Sequence, residues 1–164
     1  MRVPFVTSSA VKARLASECA RQCEERVQYW PCFLRDADRF GEHVGAVGLR
    51  QYRGAAPSCD GLSIVFEIGF HLRPDYWGQG LATEAAIAVL SFAFTKLNAE
   101  AIFAGHNPHN EKSPRVLKKL GFVLTHEEYY APTGLMHPSY ILKSWPPEGT
   151  SSGAADGNSA AWQE

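Results

Sequence analysis

No apolar run in this chain approaches the roughly 20 residues that a membrane-spanning helix needs. The opening residues, Met1-Arg2-Val3-Pro4-Phe5, lack the apolar core of a secretory signal. Basic charge is not in excess: 16 Lys and Arg stand against 17 Asp and Glu, a formal net charge of −1. The electrostatic drive for binding nucleic acid is therefore missing. Cysteine is sparse, with four in the chain and no Cys-x-x-Cys. Cys19 and Cys23 share one helix face, and Cys32 and Cys59 lie in other segments. All four read as reduced core or surface thiols. Together these absences describe a cytoplasmic protein with no nucleic-acid or membrane partner.

What remains is globular. The 164 residues are 45% hydrophobic and 20% charged, which suits one domain with a real core. Residues 8–28 predict a helix capped by Ser8 or Ser9, with Val11, Leu15, Ala16, Cys19 and Cys23 near helical spacing. Its Lys12, Arg14, Glu18, Arg21, Glu24 and Glu25 read as a solvated face. Residues 28–35 and 43–49 read as a hairpin, where Gly45 and Gly48 imply close packing or a bulge. After a loop over 51–61, residues 63–72 form the best strand. Ile64, Phe66, Ile68, Phe70 and Leu72 share one face of it, and Val65, Glu67, Gly69 and His71 the other. A helix to about residue 97 carries an apolar stripe from Ala82 to Leu97, and Asn98 stops it. Residues 101–104 predict a short buried strand. A second helix over 114–120 has Ser113 as cap and Gly121 beyond its end. Two further strands are expected at 122–125 and 139–142. The order is α/β, with one right-handed strand–helix–strand crossover at its centre.

The most informative stretch is Trp77-Gly78-Gln79-Gly80-Leu81-Ala82. It joins the best strand to a helix. Glycine lets a diphosphate approach the backbone, and the free N–H groups of the first helical turn point at it. Two common glycine motifs do not fit. A dinucleotide fingerprint needs Gly or Ala where Thr83 stands, and an acidic residue ending the next strand. A nucleoside triphosphate loop needs Gly-Lys-Ser/Thr, and Gly80 is followed by Leu81-Ala82.

A third pattern does fit. Gln/Arg-x-x-Gly-x-Gly/Ala is the pyrophosphate loop of the GCN5-related N-acetyltransferases (GNAT), and this chain resembles that superfamily. Trp77 stands at the Gln/Arg position, as in the branch that acetylates ribosomal-protein N-termini (RimJ/RimL-like) and in its small-molecule relatives. The preceding Glu67-Ile68-Gly69-Phe70-His71-Leu72-Arg73-Pro74-Asp75-Tyr76 is similar to that branch. So are Asn107-Pro108-His109-Asn110-Glu111-Lys112-Ser113 and Val116-Leu117-Lys118-Lys119-Leu120-Gly121-Phe122, which follow about 25 residues later. The resemblance spans roughly residues 8–143.

The resemblance implies a mixed, mostly antiparallel sheet flanked by helices, with two parallel strands splayed at the cofactor site. It implies acetyl-coenzyme A as acetyl donor and direct attack by an amine acceptor, either a protein N-terminus or a small molecule. The pyrophosphate would lie on the N–H groups of Gly78, Gln79, Gly80, Leu81, Ala82 and Thr83, beside Trp77. Backbone N–H groups near His71 and Leu72 would hold the thioester carbonyl. Asn107 and Asn110 would contact the cofactor arm. Ser113, on the helix face where the family's usual Tyr is replaced by Leu117, would contact it too and protonate the leaving thiolate. Glu67 is the first choice for general base, and His71, His126, Glu127 and His137 are alternatives. Trp30, Tyr129, Tyr130 and Tyr140 are candidates to line the acceptor pocket. His106 and His109 have no third ligand at metal-binding spacing, so no metal is expected.

The expected domain is residues 1–143, followed by a disordered tail over 144–164. By comparison with the family, the first strand and first helix are expected to be missing, and one sheet edge is therefore expected to be bare. A homodimer is compatible with this. The competing expectation is a shortened, weakly active or inactive protein that binds acyl-coenzyme A or another chain.

Overall fold

The computed structural model describes residues 7–54 and 56–147. Nearly all of the expected tail therefore lies outside the described residues. Among the described residues three α-helices and six strands follow in the order α1 Ser8–Glu25, β1 Tyr29–Phe33, β2 His43–Gln51, β3 Val65–Leu72, α2 Leu81–Lys96, β4 Ala101–Gly105, α3 Ser113–Lys119, β5 Val123–Tyr130 and β6 Leu135–Leu142. The sheet order is β1-β2-β3-β4-β6-β5. Every neighbouring pair is antiparallel except β3 and β4. No helix among the described residues is long and apolar enough to cross a membrane.

The main core lies on one face of the sheet. Val47, Leu49, Phe66, Ile68, Ile102, Ala104 and Leu142 from the strands meet Ala86, Leu90 and Ala93 of α2 and Leu117 and Leu120 of α3. Each fully buried aliphatic side chain contributes about 1.5–3 kcal/mol relative to exposure. The opposite face carries a smaller cluster, including Val65, Phe103 and Ile141. The small residues of α2 let it sit close over β2 and β3, and Asn98 (φ 53°) ends it in a left-handed turn. Gly48 is required by proximity: a Cβ there would meet the carbonyl oxygen of Gln28, just before β1, at 2.0 Å.

Several expectations need correction. Thr7, rather than Ser8 or Ser9, caps α1, accepting the Ala10 N–H at 3.3 Å. The orientation of α1 is also reversed. Its apolar residues face outward, with Leu15 63% and Val11 54% exposed. Its partly buried residues are the charged Glu18, Arg21 and Glu25. β5 and β6 form a longer hairpin than expected, closed by a turn over residues 131–134. Glu127, Glu128 and His137 had hidden that extension by interrupting the apolar pattern.

As expected, β1 is an edge with no strand beside it, but that edge is partly covered. The Leu49 N–H donates to Gln28 at 3.1 Å, which sets the alternation along this antiparallel pair. Trp30 and Cys32 therefore bond to β2, while Tyr29, Pro31 and Phe33 turn their backbone groups outward. The Tyr29 N–H donates to the Glu18 carboxylate of α1 at 3.3 Å. Pro31 has no N–H to offer. The edge is thus blunted by one side chain and one proline.

Candidate active site

β3 and β4 pair only at Val65–Ala101, Phe66–Ile102 and Glu67–Phe103. Beyond Glu67 they separate, because β4 turns to β6 for its partners from Ile102 to Gly105. On its other side β3 stays bonded to β2 along its length. Tyr52 donates to Val65 and Arg73 to Val44 in that same register. Odd-numbered β3 residues therefore spend their backbone groups on β2. Phe70 and Leu72 turn theirs into the gap beside β4. The His71 N–H is committed to Ala46, so of His71 and Leu72 only Leu72 presents an N–H to the gap.

At the mouth of the gap, a 3-10 turn at Pro74–Tyr76 leads into the glycine loop. Tyr76 is buried there, its hydroxyl bonded to Glu42. Gly78 (φ 80°) and Gly80 (φ 84°) are both left-handed, and a Cβ on either would meet nothing within 4 Å. Glycine is thus required by backbone angle, and the space beside it is open. The N–H groups of Gly78, Gln79, Gly80, Leu81 and Ala82 have no acceptor among the described residues, whereas Thr83 donates to Gly80 at 2.9 Å. This row of donors, opening a 16-residue helix, suits a diphosphate.

Trp77 braces the loop. Its indole N–H donates to the Leu72 carbonyl at 2.8 Å, and the Lys112 ammonium sits 3.9 Å from its ring centre. The end of β3 is thereby tied to the start of α3. Lys112 lies within the recognised Asn-to-Ser signature, but nothing in the sequence signals its contact with Trp77.

The segment before α3 is self-braced. Asn107 accepts the His109 N–H through its side chain at 2.9 Å. The Asn110 side-chain oxygen accepts the N–H groups of Lys112 and Ser113, and its amide nitrogen donates to Ser113 Oγ at 2.8 Å. Asn110, rather than Ser113, therefore plays the capping part. Ser113 is buried at 8% exposure. Because its oxygen accepts from Asn110, its own proton remains available to donate. His106 stacks on Tyr140, with ring centres 5.5 Å apart. Among the described residues no group of three or more His, Cys, Asp or Glu could hold a metal.

Glu67 lies on the face of the sheet away from α2 and α3, so it and Ser113 can meet only through the gap. Arg50, directly opposite on β2, donates to Glu67 Oε1 at 3.2 Å. The Arg50 guanidinium is 5.7 Å from the Tyr29 ring centre, and that ring is 5.5 Å from His71. Gly69 makes room for the tyrosine: a Cβ there would lie 2.2 Å from its hydroxyl oxygen. Burial is the main cause that raises the Tyr29 pKa above the usual phenol value. His71 is held below the usual imidazole value, first by burial of part of its ring and then by the charges of Arg14 and Arg50. Arg50 and Tyr29 carry no sequence signal, since only the strand register brings them to Glu67.

The aromatic candidates do not gather. Tyr130, with His137 at 4.8 Å, shares the Glu67 face. Trp30 packs edge-on against Phe92 of α2, and Tyr140 packs against the main core. Tyr129 stands opposite Met136, on that same core side of the hairpin. His126 and Glu128 lie 3.8 Å apart on the Glu67 face, while Glu127 points the other way.

Residues 1–123 match the model of the acetyltransferase (GNAT) domain. An uncharacterized N-acetyltransferase of Bacillus subtilis, YnaD, is 33% identical over 97 residues, covering 59% of this chain and 51% of that protein. The spermidine N(1)-acetyltransferase of Escherichia coli is 29% identical over 133 residues, covering 70% of this chain and 66% of that protein. The chain thus spans about half to two thirds of the length of these relatives. Among solved structures, the ribosomal-protein-S5-alanine acetyltransferase from Vibrio fischeri superposes with a TM-score of 0.66 at 23% identity, over 87% of this chain and 76% of that one.

Proposed function

The chain belongs to the GNAT acetyltransferase family, and on that premise we propose that it moves an acetyl group from acetyl-coenzyme A to a primary amine, either a small molecule or a protein N-terminus. One observation carries this reading. A loop with two left-handed glycines and a row of unaccepted N–H groups stands at the mouth of a gap between parallel strands.

In this reading the donor's pyrophosphate is held by the N–H groups of Gly78, Gln79, Gly80, Leu81 and Ala82, with Trp77 fixing the loop against Leu72. Its pantetheine arm takes the unpaired N–H groups of Phe70 and Leu72, the Leu72 carbonyl being occupied by Trp77. One of those N–H groups stabilises the carbonyl oxygen as it gains charge. Asn107 and Asn110 shape the loop that borders the arm, and Ser113 donates a proton to the leaving thiolate. The attacking amine approaches from the face that carries Glu67 and His71. Acceptors named for a relative and a structural neighbour, spermidine and an alanine of ribosomal protein S5, are the first to test.

The test is direct. Coenzyme A should raise the melting temperature, and acetyl-coenzyme A with a suitable amine should release free coenzyme A, measured by chromatography because Cys19 and Cys23 are exposed thiols. Stabilisation without release across an amine panel would favour a binding protein. Neither effect would sink the reading.

A further inference from the structure

The gap leaves open which group takes the proton from the attacking amine. Both Glu67 and His71 project from the same face of β3, but they stand differently toward the reacting carbon. The unpaired N–H groups in the gap belong to Phe70 and Leu72. His71 is bonded in the chain to both, so its Cα is about 3.8 Å from either. Glu67 is three residues below Phe70 and five below Leu72, roughly 10 and 16 Å along the strand. Its carboxylate is moreover already engaged by Arg50 at 3.2 Å. The His71 imidazole has no hydrogen-bond partner among the described residues, and the residue is exposed.

We infer that His71 is the general base of this site, with Tyr29 as its positioning residue and Glu67 as the counter-ion that anchors Arg50. This assignment rests on the acetyltransferase reading. Four elements set the surroundings of the imidazole: Tyr29 of β1 packs against its ring, Arg50 of β2 and Arg14 of α1 place positive charge near it, and Glu67 on its own strand is tied to Arg50. Partial burial, and then the two arginines, disfavour the imidazolium and so favour the neutral ring with a free lone pair. The proton count closes. The acceptor ammonium gives one proton to the neutral imidazole, the amine nitrogen bonds to the thioester carbon, and the carbon–sulfur bond breaks. The nitrogen then loses its second proton to water, the thiolate gains one from Ser113, and water reprotonates the Ser113 oxygen. His71 afterwards returns its proton to solvent.

The experiment is the pH profile of kcat/KM for wild type, His71→Gln and Glu67→Gln, with spermidine and an alanine-initiated tripeptide as acceptors. Coenzyme A binding and melting temperature are measured in parallel. The wild-type profile should rise through a pKa below the ordinary histidine value of about 6.5. His71→Gln should lose roughly 100-fold or more in kcat/KM at pH 7, lack that limb, and still bind coenzyme A. Glu67→Gln should keep the limb. A limb that persists in His71→Gln, or vanishes in Glu67→Gln while His71→Gln retains its rate, overturns the assignment and leaves the transferase reading standing. No release of coenzyme A by the wild type with any amine overturns the transferase reading, and this assignment with it.

Discussion

The two halves of the proposed site are made from different materials. The donor half is mostly backbone: N–H groups of a glycine loop, unpaired N–H groups of Phe70 and Leu72, and a loop before α3 held by Asn side chains that bond its own N–H groups. The acceptor half is made of side chains, with Tyr29, Arg50, Glu67 and His71 contributed by three strands. Backbone geometry is fixed locally, by glycine angles and strand ends. A side-chain cluster exists only if the register of β1, β2 and β3 is correct. Damage to the first should therefore be local to the loop, and damage to the second should follow from changes in the sheet.

The strongest way to break this contrast is Gly80→Glu. A side chain at φ 84° costs about 1–2 kcal/mol, and its negative charge would face the diphosphate. Coenzyme A affinity should fall by about 100-fold or more in titration calorimetry, with the acceptor face intact. Unchanged affinity would remove the loop from the site. Next is Gly48→Ala, whose Cβ would run into the Gln28 carbonyl oxygen and the Tyr29 Cα. It should lower stability by about 3 kcal/mol in denaturant unfolding, since backbone rather than a movable side chain must yield.

Gly69→Ala is the sharper test of the acceptor half. It would push the Tyr29 ring out of its place, costing about 1–2 kcal/mol of stability. The KM for the amine should rise, while coenzyme A affinity stays within about twofold. A change in coenzyme A affinity instead would show that the halves are not separable. The smallest effect is expected from Trp77→Phe, which removes the indole donor to Leu72 but keeps an aromatic surface under Lys112. One hydrogen bond of this kind contributes about 1 kcal/mol, so coenzyme A should bind roughly fivefold more weakly.

The same division explains what the sequence made legible. Gly78 and Gly80 can be read because each acts through its own φ, and a strand and a helix with strong apolar periodicity flank them. Ser113 could be singled out from its place in the signature, but not the bond from Asn110 that occupies its oxygen. Arg50 and Tyr29 were invisible because their roles depend on which residues stand opposite them across the sheet. The reversed face of α1 has the same origin. Its charged residues find partners distant in sequence, Glu18 at the Tyr29 N–H and Glu25 at Arg53. Helical periodicity could not anticipate either contact.

That reversed helix has a thermodynamic consequence. α1 holds to the sheet through a carboxylate on a strand N–H and an exposed ion pair, with no fully buried side chain. Contacts of this kind are individually worth about 1 kcal/mol or less. Its amides should therefore exchange with solvent hydrogen through an opening far smaller than global unfolding, ahead of those in β2 and β3. Each such opening would carry Arg14 away from His71 and uncover the Tyr29 N–H. The proton affinity of the imidazole and the pairing capacity of the sheet edge would then rise together, both governed by one weakly latched helix.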